Sequence, residues 1–156
     1  MVTADSCAYL GLEVPELDPE TQRRVKEEDL APHAPYPRNP IDVAGDFRTP
    51  TIFPNIAEKL AALPYIDAII CTPPSMRETS AAAAKISIDA AEALAAIPNK
   101  YGKPVILIQL GRGGRDIISQ IFKQGGVPSF ETPEECARAM WALASYGEIR
   151  RHTSSE

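Results

Sequence analysis

Residues 104–110, Pro-Val-Ile-Leu-Ile-Gln-Leu, most limit what this chain can fold into. The run has strand length and is almost wholly apolar, so both faces of the strand must be buried. A strand buried on both faces belongs inside a parallel sheet with helices above and below. Residues 66–71 (Ile-Asp-Ala-Ile-Ile-Cys) repeat the signature, and Val127–Phe130 gives a shorter instance. Helical patterns lie between. Apolar residues at Ile52, Phe53, Ile56, Ala57, Leu60 and Leu63 fall on one face of a helix. Glu78–Ile97 is an alanine-rich helix that Pro98 is expected to end, and Asp116–Lys123 is another.

The punctuation is equally readable. Thr3–Leu10 reads as the end of a helix, stopped by Gly11. Leu12–Val14 reads as a short strand ended by Pro15. Asp18 as N-cap and Pro19 at the first helical position open a charged helix running to about Leu30. A proline-rich loop follows over 31–40. Thr132, Pro133 and Glu135 form a capping box for the last helix, with Ala137, Met140, Trp141 and Ala144 as its expected buried face. Gly147 is expected to stop that helix. The division is then one domain over 1–150 and a flexible tail over 151–156.

Alternating strands and helices give an open parallel sheet of flavodoxin-like order. That order lacks something. The chain starts on a helix, and nothing supplies the interior strand that should precede it. The domain is expected to be N-terminally incomplete, with unpaired backbone and an apolar slot where the strand belongs. A dimer, a swapped segment or a partner chain should compensate.

Composition narrows the partners. The net charge of −5 disfavours nucleic acid, which wants a basic face. No apolar run reaches the roughly 18 residues of a membrane span. The first ten residues contain Asp5 and no Lys or Arg, unlike a secretory signal. Cys7, Cys71 and Cys136 are odd in number with no CxxC pair, which fits reduced thiols in the cytoplasm and no metal site.

Three loops could carry function. Asn39-Pro40-Ile41-Asp42-Val43-Ala44-Gly45 is either a ligand-facing loop at the carboxyl end of the sheet or a turn whose Asn and Asp bond local backbone. Gly111-Arg112-Gly113-Gly114-Arg115 follows a strand and could cradle an anion. It matches neither a P-loop nor GxGxxG, and glycine turns there are common. Thr72-Pro73-Pro74-Ser75-Met76 reads as a plain turn. His33 and His152 lie in settings that would not orient an imidazole. The residues themselves supply no catalytic nucleophile or base.

Three stretches, in register, add a family. They are Gly11-Leu12-Glu13-Val14-Pro15-Glu16-Leu17 with Glu20-Thr21-Gln22, then Asn39-Pro40-Ile41-Asp42-Val43, then Gly126-Val127-Pro128 through Thr132-Pro133-Glu134 to Ala137-Arg138-Ala139. In this order they resemble the ADP (NDP)-forming acyl-CoA synthetases of the acetate–CoA ligase type, relatives of succinyl-CoA synthetases, over about residues 3 to 150. The resemblance is to the second succinyl-CoA-ligase-like flavodoxin domain. It implies a ligase that converts acid, CoA and ATP to acyl-CoA, ADP and phosphate through a phosphohistidine. It implies CoA, ATP/ADP and Mg for the complete enzyme, none bound by this chain alone. It also implies partners: a CoA-binding and phosphohistidine domain, an ATP-grasp domain or subunit, and an oligomer. The family's histidine motif and the glycine-rich loop before the first helix are absent, so no catalytic residue carries over and the chain alone should be inactive. Asn39, Pro40 and Asp42 carry over as site-shaping residues of the phosphate and interface loops, and Gly113 and Gly114 by position. The alternative is a non-catalytic binding or assembly module derived from that family. A receiver or flavin-binding domain is a weaker option.

Overall fold

The structure, a computed structural model, describes residues 2–45, 49–73, 80–109 and 117–153. Within them the element order is α1 (Val2–Tyr9), α2 (Pro19–Glu28), α3 (Ile52–Ala61), β1 (Ile69–Cys71), α4 (Ala81–Tyr101), β2 (Val105–Ile108), α5 (Ile117–Gln124), β3 (Ser129–Phe130) and α6 (Pro133–Thr153). The strands form one parallel sheet in the order β1-β2-β3. The fold is α/β with an open parallel sheet, flavodoxin-like.

Alternation along the strands builds two cores. Ile69, Val105 and Leu107 pack under α3, α4 and α5 with Leu94 and Phe122. Ile106 and Ile108, on the opposite face, pack with Cys136 and Met140 of α6. All four β2 residues are buried, as the apolar run required. A satellite cluster around Val25, Phe53 and Ile56 ties α2 to α3. Helix α1 lies against α6.

The caps follow the sequence. Asp18 accepts from the Thr21 amide, and Pro19 opens α2. Thr132 and Glu135 exchange their two bonds, each 3.2 Å. Gly11, at φ 81°, closes α1: its amide donates to Ala8 O and that of Leu12 to Cys7 O, satisfying the last carbonyls.

Four expectations are corrected. Leu12–Val14 is not a strand, because a strand needs a ladder partner and none of the described residues pairs with it in one. Helix α4 does not stop at Pro98 but continues to Tyr101 and ends at Gly102, φ 67°. Proline removes a single amide there, and Glu58 of α3 accepts from both Lys100 and Tyr101, which anchors the last turn. Gly147 does not stop α6, which runs on to Thr153, so residues 151–153 are helical and not tail. A glycine inside a helix costs about 1 kcal/mol and does not terminate it, and Arg150, Arg151 and His152 suit the negative end of the helix dipole. Trp141 and Ala144 are not core: both are exposed, Trp141 at 47%, while Ala137 and Met140 are buried. Residues 154–156 lie outside the described residues.

Candidate functional site

An opening flanks the edge of β1 that no described strand pairs. It is a slot of about 880 Å³. Leu60 and Ile56 of α3 line it on one side of the sheet plane, and Met140 and Leu143 of α6 on the other. Leu12–Pro15 and Asn39–Ile41 contribute further lining. The slot is therefore layered like the sheet itself, with helices on both sides of an open strand position.

Its inner wall is backbone. The Ile69 amide donates to Pro104 O at 3.0 Å, toward β2. In a parallel ladder successive residues point their amides to opposite neighbours, so the Ile70 N–H and C=O face the slot. Across from them, no described hydrogen bond uses the amide of Glu13 or of Val14. Unpaired backbone on a lining segment invites another strand.

The Leu12–Pro15 and Asn39–Ile41 segments are pinned to each other. Asn39 donates its side-chain amide to Pro15 O at 3.0 Å. The Leu17 amide donates to Arg38 O at 2.9 Å, and Gln22 reaches back to Leu17 O. Asn39 takes φ 93°, and the Asn39–Pro40 peptide is cis. Asp42 accepts from the Ala44 amide at 2.8 Å, a local turn that holds Ala44 at φ 53°.

One Asn39 side-chain N–H is engaged by Pro15 O, Pro40 has no N–H, and Asp42 accepts from the Ala44 amide. Asn39 and Pro40 line the slot and Asp42 turns the chain just beyond it. Gly113 and Gly114, and Ser75 with them, lie outside the described residues. His33 and His152 are both exposed.

The thiols were missed as slot neighbours by sequence reasoning. Cys7 and Cys71 line it and Cys136 is buried close by. Burial pushes the Cys71 thiol up to about 12, with the neighbouring Cys136 adding to it. Burial likewise pushes Cys136 up to about 11, and raises Cys7. All three are free and protonated at neutral pH, which makes them poor nucleophiles. Among the described residues no group of His, Cys, Asp and Glu could hold a metal ion, and no buried side-chain polar atom lacks a partner. No described helix is long and apolar enough to cross a membrane. The slot suits an apolar occupant with a backbone, more than a small polar ligand.

Comparison with known proteins gives a fold and a proportion. No family model matches the chain, and no curated protein matches it. Among solved structures the chain is similar to PH0766 from Pyrococcus horikoshii OT3, with 25% identity and a TM-score of 0.65. The match covers 91% of this chain and 32% of that one, so this chain spans less than half of that protein's length. The relationship is a distant one of fold: an α/β module similar to part of a larger archaeal protein.

Proposed function

We propose that the chain is the second flavodoxin-like domain, or the matching subunit, of an ADP-forming acyl-CoA synthetase. In that enzyme it supplies a domain interface and part of a phosphate-facing site. The complete reaction converts acid, CoA and ATP to acyl-CoA, ADP and phosphate, with a phosphohistidine carried on another domain. In this reading Asn39, Pro40 and Asp42 shape the wall of the interface. The anion-facing donors come from the glycine turn of Gly113 and Gly114, a sequence-based assignment.

The observation that carries the reading is the joining of two family-like stretches. Residues 11–17 and 39–43 resemble the family in register, and they meet through the Asn39–Pro15 bond, with the Leu17–Arg38 bond just beside it. A likeness that covers 91% of this chain and 32% of its neighbour supports a module within something longer.

The test is reconstitution. The purified chain is mixed with a protein carrying the CoA-binding, phosphohistidine and ATP-grasp domains. ATP formation from acetyl-CoA, ADP and phosphate with Mg²⁺ is then followed. Neither component alone should turn over, the mixture should, and Asn39→Ala should lower the rate of the mixture. Turnover by the chain alone would contradict the proposal. The second reading, a non-catalytic assembly module, draws support from the apolar slot and the protonated thiols. It expects the partner to bind this chain and to turn over no faster for it.

A further inference from the structure

We propose that the slot beside β1 accepts an extended apolar segment of a partner polypeptide as an interior strand of the sheet. The inference stands on geometry and is independent of the acyl-CoA reading.

The shape fits a strand. Strands lie about 4.8 Å apart, layers about 10 Å apart, and a strand rises about 3.3 Å per residue, so one residue fills roughly 160 Å³. A slot of about 880 Å³ then holds about five residues, a common strand length.

The chemistry fits as well. The Ile70 N–H and C=O offer one rung of a ladder, and the backbone of Glu13 and Val14 offers another on the Leu12–Pro15 side. Side chains of an inserted strand would alternate between Ile56 and Leu60 on one face and Met140 and Leu143 on the other. Both environments are apolar, so the occupant is apolar on both faces, like β2. At the rim Glu13, Asp67 and Glu148 outnumber Arg151, which favours basic residues flanking the apolar core.

The occupant is not a second copy of this chain. An identical chain would have to offer a free apolar run of about five residues. The apolar runs of that length are already used: residues 66–71 and 104–110 carry β1 and β2, and residues 93–97 and 139–144 lie in α4 and α6. Leu12–Val14 is three residues long between Gly11 and Pro15, and it lines the slot itself.

The probe is a synthetic peptide with five central residues alternating valine and isoleucine, flanked by lysines. Its control carries N-methyl groups on alternate central amides, which keeps the apolar surface and blocks the ladder. Titration of the full chain should show saturable binding of the first peptide, at least tenfold weaker binding of the control, and slowed exchange of the Ile70 amide. Ile70→Pro removes the donor that faces the slot and leaves the bonds toward β2, so it should abolish binding with the fold kept by thermal melting. Should that variant not fold, Ala144→Trp, at the exposed α6 side of the slot, blocks it from a helix instead. Equal binding of both peptides, or no binding of either, overturns the proposal. A dimer in which Ile70 is already protected without peptide overturns it too, because a second copy then fills the slot.

Discussion

At the scale of single residues, Asn39 does two things that other side chains cannot do together. It occupies φ 93°, where a β-carbon is disfavoured, and it donates to Pro15 O. Asn39→Ala should lose about 1 kcal/mol for the bond and about 1 more for the backbone, measured as a shift in urea midpoint. Asn39→Gly should recover the backbone part only. Asp18 gives a pH signature. Its carboxylate accepts the Tyr65 hydroxyl at 2.6 Å, and the Thr21 hydroxyl and amide. The Tyr65 bond, then those from Thr21, hold its pKa well below the usual carboxylate range. Folding therefore favours the ionised form. The stabilisation is complete above the unfolded pKa of about 3.9 and fades as pH falls toward the folded value. Asp18→Asn keeps an N-cap but loses the charge. Its stability deficit should be present at neutral pH and shrink in urea melts below about pH 4.

The elements show where the sequence was legible. Helix caps were, because the residues that satisfy orphan amides are local: Asp18 and Pro19, or Thr132 with Glu135, act within one turn. Thr132→Ala should cost about 1 kcal/mol in thermal or urea unfolding. The end of α4 was not legible, because the contacts that carry the helix past Pro98 lie 42 and 43 residues away, on Glu58 of α3. The exposure of Trp141 was not legible either, since burial on α6 stops at Met140 and residues 141–144 are all exposed, a limit set by what the helix packs against and not by its own spacing. Between α2 and α3, Lys59 bonds Asp29 at 2.7 Å and Glu28 at 3.2 Å, and the Asp29 side chain is only 2% exposed. Lys59→Met would strand a buried carboxylate and should cost about 2–3 kcal/mol in denaturant melts. Adding Asp29→Leu to that variant should return most of the loss, because the penalty belongs to the unpaired charge.

For the whole molecule, the parallel sheet was readable from three apolar runs. The slot lies beside β1, the first strand of that sheet. Its volume and its two backbone walls were not readable, because they depend on where α3, α6 and the Asn39 loop settle around β1. The placement of Asn39 and Pro40 at the slot was likewise invisible in a motif that only named residue types. At this scale β1 is two-sided: one edge pairs with β2, and the other is open to the slot. Amide hydrogen exchange read residue by residue on the isolated chain tests it most directly. The Ile69 amide, bonded to Pro104, should exchange slowly, and the Ile70 amide beside it should exchange much faster. Equal, slow exchange at both would mean that the edge is already covered, and would contradict the account.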